Sequence, residues 1–241
     1  MAKTHIRLSI LLLVLNEAEL IGQWLNHIAH FNPFEVIIVD GGSTDTTIDI
    51  IKSHPLPIKL IEHKMGNSFS EQRNIAKQAC QGDWILQIDA DETLTENAFR
   101  LIPLLLTDKW AVAFTFPRIN IFPDNEHFFG HPNGDLQLRL FRNLPEIEYV
   151  NAVHEQITYR GEIIYPGITR TKGLWKWCRI KKEIKILHYG YIKSREGLIE
   201  RGKRWQKFKK ASHERGIEIG DEDSFILDQK KLNIRPLNAI I

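Results

Sequence analysis

The sequence predicts an α/β fold: a mostly parallel central sheet with helices on both faces, continued by a smaller mixed half. Three observations predict it. Short runs rich in Ile, Val and Leu alternate with segments whose apolar residues recur at helical spacing. Those runs stop abruptly at Asn16-Glu17, at Asp40-Gly41-Gly42 and at Asp89-Ala90-Asp91, as parallel strands do where a sheet opens onto a ligand. The chain has 241 residues, 43% hydrophobic and 26% charged, an ordinary globular composition with length for one substantial core.

The elements follow in order. Residues 7–15 read as a buried first strand. Lys3 and Arg7 ahead of that apolar run imitate a signal peptide, but Asn16, Glu17 and Glu19 follow it instead of small cleavage-site residues. Residues 18–31 read as a helix with Leu20, Ile21, Trp24, Leu25 and Ile28 on one side, ended by Asn32-Pro33. Residues 34–39 form the second strand, and Thr44 or Asp45 caps a helix to about residue 53. A third strand spans 58–61, and Asn67 or Ser68 opens a helix to about Cys80. Residues 84–88, bounded by Gly82-Asp83, make the fourth strand. A helix over 95–106, kinked or shortened by Pro103, precedes a longer strand over 110–118. Residues 120–133, rich in Phe, His, Asn, Pro and Gly, read as an active-site loop. Strands over 136–141 and 157–159 belong to the mixed half. Residues 195–211 read as a basic amphipathic helix with Leu198, Ile199, Trp205 and Phe208 as its apolar side, followed from Gly216 by a loosely structured tail.

Composition narrows the classes. Two cysteines, Cys80 and Cys178, are too few for a disulfide framework and point to a reducing compartment. No stretch approaches the roughly 20 apolar residues of a membrane span. The net charge is +2 but unevenly spread: residues 170–215 hold 16 Lys and Arg against 4 Glu, a balance of +12 that leaves −10 for the rest. An anionic surface, or a large anionic ligand, is the expected partner of that segment.

The acids at 89–92 carry the chemistry. On a strand, alternation places Asp89 and Asp91 on one face and Ala90 on the other. Two carboxylates side by side repel unless a cation lies between them. A divalent Mn²⁺ or Mg²⁺ carrying substrate phosphates answers that need through oxygen ligands; the alternative is a solvated acidic turn. Asn16, Glu17, Asp40 and Asp89 all fall at strand ends, which predicts one convergent site.

The order and spacing of Val14-Leu15-Asn16-Glu17, Val39-Asp40-Gly41-Gly42-Ser43-Thr44-Asp45, Gln72-Arg73-Asn74 and Asp89-Ala90-Asp91 resemble the family 2 glycosyltransferases, which have the GT-A fold. The resemblance covers about the first 120 residues. Beyond it, Arg139-Leu140-Phe141-Arg142, Val153-His154-Glu155 and Leu187-His188-Tyr189 resemble, more loosely, the bacterial branch that glucosylates lipopolysaccharide core. The resemblance implies a nucleotide-sugar-binding half at 1–120, an acceptor-side half of the same domain at 121–190, and a basic helix and tail at 191–241. It implies an inverting transfer of a hexose, glucose in that branch, from a nucleotide diphosphate sugar such as UDP-glucose to a glycan or lipid-linked acceptor. The protein would be cytoplasmic and peripheral on the inner face of an anionic membrane, with no nucleic acid as partner.

The same resemblance assigns roles. Asp40 accepts a hydrogen bond from the base, or serves only as a turn acid; Gly41 and Gly42 let the backbone turn beside the ligand. Asn16 and Glu17 frame the nucleoside, or Asn16 only ends the first strand; Ser43, Asp45 and Asn74 also bind the donor, and Arg73 faces a carboxylate or phosphate in the site, with a helix-surface arginine as the alternative. Asp91 binds the metal, Asp89 sits near the ribose or the metal shell, and His188 completes that shell or is merely packed. Inverting transfer also needs a carboxylate base. The Glu-Asp pair that many members carry for it is missing from the expected region. Glu155 is the candidate, with a structural ion pair to Arg139 or Arg142 as the alternative, and Asp135 is the reserve.

Three other readings compete with this one. A haloacid-dehalogenase-type phosphatase would use Asp89 as nucleophile, but that motif closes a first strand and has Gly where this chain has Glu92. A nucleotidyltransferase would carry a Gly-rich basic loop where Asn16-Glu17-Ala18-Glu19 stands. A non-catalytic nucleotide-sugar-binding module would keep the donor contacts and lack turnover.

Overall fold

The computed structural model describes residues 6–131, 134–152, 154–164, 178–190 and 234–239. The first half is built of βα units. Strands β1 (Leu8–Val14), β2 (Glu35–Asp40), β3 (Ile58–Glu62) and β4 (Trp84–Gln87) alternate with helices α1 (Ile21–Ala29), α2 (Thr47–Ser53) and α3 (Phe69–Ala79). All four strands are parallel, in the order β4-β1-β2-β3. Alternation sorts the core. Ile10, Leu12, Val36, Ile38 and Trp84 pack with α1, while Leu11, Ile37, Val39 and Ile85 pack on the other face with Ala76 of α3. Both faces are covered, which is why these strands read as unbroken apolar runs.

The second half comprises β5 (Glu92–Leu94), α4 (Ala98–Leu106), β6 (Ala113–Ile121), β7 (His127–Phe129) and β8 (Asp135–Arg142). After these come β9 (Ile147–Val150), β10 (Gln156–Tyr159), β11 (Glu162–Ile163), β12 (Cys178–Ile180), β13 (Ile186–His188) and β14 (Ile234–Pro236). Strand β8 enters the main sheet between β4 and β6, antiparallel to both. Strands β12 and β13 run parallel to β6, and β7 antiparallel to it. Strands β9–β11 form a separate small sheet over the α3 face. A boundary at residue 120 falls inside β6, and the two halves share one sheet. Because β8 is antiparallel to both β4 and β6, the carboxyl ends of β1, β2, β4, β6 and β13 lie along one edge, together with the start of β8.

Several boundaries differ from the sequence expectation. Strand β4 ends at Gln87, and Asp89 to Glu92 close a turn in which Glu92 N–H donates to the Asp89 carbonyl (2.9 Å). Asp89 and Asp91 therefore lie in a turn, and strand alternation does not set them on one face. Strand β6 starts at Ala113 because the Asp108 carboxylate accepts from Trp110 and Ala111 N–H (2.8 Å each) and ends α4 in a tight turn. The expected loop at 120–133 contains the end of β6 and β7, a hairpin whose Phe128 is fully buried. Its turn is held by Asp124, which accepts from Glu126 and His127 N–H. Helix α3 has the expected Ser68 cap, whose hydroxyl accepts from Glu71 N–H (3.2 Å). The expected helix over 195–211 and the tail up to residue 233 lie outside the described residues.

Candidate active site

The site is assembled at that strand-end edge. Val14 of β1 lies opposite Asp40 of β2, so the segments leaving these strands are neighbours, and hydrogen bonds lace them together. Asn16 takes a left-handed conformation (φ 53°), which asparagine tolerates better than most residues. Its N–H donates to Ser43 Oγ (2.9 Å), and its Oδ1 accepts from Thr44 N–H (2.8 Å). Glu17 N–H donates to Thr47 Oγ1 (2.8 Å) and Ala18 N–H to Asp45 Oδ2 (3.2 Å). Burial opposes ionisation of Asp45, but hydrogen bonds from Thr47 and Ala18 outweigh it and hold the carboxyl below its ordinary range. Asp40 is 2% exposed and accepts from Gly42 N–H (2.8 Å), Ser43 N–H (2.9 Å) and the Ser43 hydroxyl. A Cβ on Gly41 would stand 3.1 Å from that of Met65, so a side chain there would crowd the turn.

Beside this rim lies an ionic cluster built on two buried arginines and the partly exposed Asp89. Arg73, 4% exposed, is no helix-surface residue: its Nη2 donates to Asp89 Oδ1 (2.5 Å) and its Nε to Glu155 Oε1 (3.2 Å). Arg139 of β8, 7% exposed, donates through Nη2 to Asp89 Oδ2 (3.1 Å) and Glu92 Oε1 (2.6 Å). Gln87 fits with its amide oxygen towards Arg139 Nη1 (2.5 Å) and Arg73 Nη2 (3.3 Å) and its NH₂ towards Tyr149 Oη (2.7 Å). The reverse orientation would set an NH₂ group against two cations. Burial alone would raise the Asp89 pKa, but the two guanidinium groups hold it down to about 2. Burial likewise works against charge on both arginines, and their carboxylate partners reverse it, so both stay charged.

Asp91 turns elsewhere. One of its oxygens lies 3.4 Å from His188 Nε2, and its carbonyl accepts from Tyr189 N–H (2.7 Å). His188 Nδ1 lies 2.8 Å from Asn120 Oδ1, and its Nε2 faces the Asp91 carboxylate. A carboxylate facing an imidazole nitrogen is a mixed N/O pair that suits a divalent cation such as Mn²⁺. Among the described residues, Asp89, Asp91, Glu92 and Glu155 stand against Arg73 and Arg139, a formal charge of −2 that one divalent cation neutralises. No group of three or more His, Cys, Asp and Glu side chains placed to hold a metal occurs among the described residues. The protein would therefore supply Asp91 and His188, because both Asp89 oxygens are taken by guanidinium groups.

Asn74 uses its whole amide on the Tyr149 backbone, accepting from N–H and donating to the carbonyl (both 2.9 Å), and so clamps β9 onto α3. Asp135 pairs with Arg118 (3.0 Å), its side chain 59% exposed. Glu155 meets Arg73, not Arg139 or Arg142. Sequence reasoning gave no site role to Arg139, Glu92, Gln87 or Tyr149. The one available signal was an arginine set between Leu138 and Leu140.

A mostly parallel sheet whose carboxyl edge gathers the polar Asn16–Asp45 rim, an Asp–Arg cluster and an Asp–His pair has the GT-A architecture. Residues 9–162 match Glycosyl transferase family 2, and the chain belongs to that family. It is 31% identical over 196 residues to a TPR repeat-containing protein of Synechococcus elongatus, covering 81% of this chain and 45% of that protein. It is 28% identical to the SPbeta prophage-derived glycosyltransferase SunS of Bacillus subtilis, covering 80% and 42%. It is 27% identical to the lipopolysaccharide core biosynthesis glycosyltransferase LpsC of Rhizobium meliloti, covering 84% and 75%. The chain thus spans less than half the length of the first two relatives. Among solved structures, the mannosyltransferase PcManGT of Pyrobaculum calidifontis, in complex with GDP-Man and Mn²⁺, superposes with a TM-score of 0.54 at 17% identity, covering 84% of this chain and 61% of that one. The family match overturns the phosphatase alternative. No helix among the described residues is long and apolar enough to cross a membrane.

Proposed function

We propose that this chain transfers a hexose from a nucleotide diphosphate sugar to a hydroxyl of a glycan or lipid-linked saccharide, with inversion at the anomeric carbon. The observation that carries the reading is the gathering of Asn16, Asp40, Asp89, Asp91 and His188 at one sheet edge around a formal −2. The Asn16–Asp45 rim receives the nucleoside, Asp40 and Ser43 at the base and Asp89 at the ribose. Asp91 and His188 hold a divalent cation, which when bound neutralises the leaving diphosphate. Glu155 takes the proton of the acceptor hydroxyl as its oxygen bonds to the anomeric carbon, and the bond from that carbon to the diphosphate breaks with its electron pair on the diphosphate. Arg73, bonded to both Asp89 and Glu155, fixes the base relative to the donor. Asp135, at the same edge, is the alternative base.

UDP-glucose is the proposed donor. The similarity to LpsC supports a lipopolysaccharide core saccharide as acceptor. The +12 balance of residues 170–215 supports attachment to an anionic membrane on the cytoplasmic side. Thermal-shift measurements with UDP, GDP, CDP and dTDP sugars, with and without Mn²⁺, test the core of the proposal. A Mn²⁺-dependent rise with UDP-glucose is expected, and no rise with any of the four classes refutes a nucleotide-sugar site.

A further inference from the structure

We infer that Arg139 is the positioning residue of the metal-binding turn, acting through Glu92; the inference rests on the donor-site reading above. Among the described residues, its side-chain hydrogen bonds end on the segment that carries Asp91: Gln87 Oε1 before the turn, Asp89 Oδ2 at its start and Glu92 Oε1 at its end. Glu92, 1% exposed, passes the constraint on in two directions. Its second carboxylate oxygen accepts from Asp89 N–H (3.2 Å), so the side chain that Arg139 grips also closes the turn. Its backbone lies opposite His188 in the antiparallel β5–β13 pair. Asp91, directly before Glu92 in the turn, is tied to the residue that follows β13 by the hydrogen bond from Tyr189 N–H. One guanidinium group on β8 therefore fixes the relative placement of Asp91 and His188 while touching neither.

Stability alone explains this arrangement poorly. Burying the charged pair Arg139 and Glu92, 7% and 1% exposed, costs desolvation that a hydrophobic pair of similar volume would avoid. The orienting partners of metal ligands typically change metal affinity by roughly 10–100-fold when removed.

The test compares wild type, Arg139→Met, and the paired variant Arg139→Met with Glu92→Leu, which leaves no carboxylate stranded at position 92. Mn²⁺ affinity is read by titrating free Mn²⁺ in the presence of UDP, and folding by thermal melting without metal. The paired variant is expected to melt within a few degrees of wild type and to bind Mn²⁺ about 10–100-fold more weakly. A folded paired variant with wild-type Mn²⁺ affinity overturns the positioning role and leaves the donor site standing. Wild-type protein that binds no Mn²⁺ with UDP overturns the donor-site reading and this inference with it.

Discussion

Replacing Glu155 by Gln separates chemistry from architecture. Glu155 Oε1 accepts one hydrogen bond from Arg73 Nε at 3.2 Å, and its side chain is 20% exposed. Glutamine keeps the size and an acceptor oxygen, so the contact survives without its charge, at a cost of about 1–2 kcal/mol in stability. Removing a general base costs roughly 10²–10⁴-fold in rate, or about 2.7–5.5 kcal/mol of transition-state stabilisation. The two losses differ enough to be told apart. Steady-state transfer from UDP-glucose should show kcat down by at least about 10²-fold with donor KM nearly unchanged, while a urea titration shows a folded protein. Asp135→Asn is the matched control, because its pair with Arg118 is largely exposed and worth under about 1 kcal/mol. Wild-type kcat in Glu155→Gln together with a large loss in Asp135→Asn would move the base to Asp135 and refute the argument from the Arg73 contact.

Four further outcomes are expected. Asp91→Asn should abolish Mn²⁺-dependent transfer and weaken UDP binding in Mn²⁺; full activity of this variant in EDTA would remove the metal from the reading. Asp40→Ala should raise the donor KM by the equivalent of roughly 1.5–3 kcal/mol and also lower the melting temperature, since Asp40 closes the 40–43 turn; an unchanged KM counts against a base contact. Folding should weaken on acidification through His27, whose Nε2 accepts from Leu94 N–H (3.0 Å) and whose pKa is lowered to about 4 by burial and by His30. The unfolded chain binds the extra proton between about pH 6.5 and 4, so this stability is present above 6.5 and lost on descending that window. The loss is at most about 3 kcal/mol, less for residual solvent screening, and denaturant titrations of wild type and His27→Gln that stay parallel from pH 7 to 5 would disprove it. Liposomes containing anionic lipid should float the protein at low salt and release it at high salt; equal binding to neutral lipid defeats the electrostatic account.

By itself the sequence determined the βα half and the positions of its polar turns. Those features are local: an apolar run such as residues 8–14 buries both faces of a strand wherever it sits, and Ser68 caps the helix that follows it. Asn16, Asp40 and Asp89 could be placed on one edge because parallel strands end on the same side. Tertiary structure alone decided what the acids do. Asp89 and Asp91 are two residues apart, yet one is held by Arg73 and Arg139 and the other faces His188, because the strand stops at Gln87 and the chain turns between them. Arg139, Glu155 and His188 reach the site from β8, from the segment before β10 and from β13. Their pairing depends on β8 entering between β4 and β6 and on β13 running alongside β6. Such long-range strand order leaves no periodicity in the chain, whereas a buried charge must find its partner across whatever distance in sequence the sheet closes.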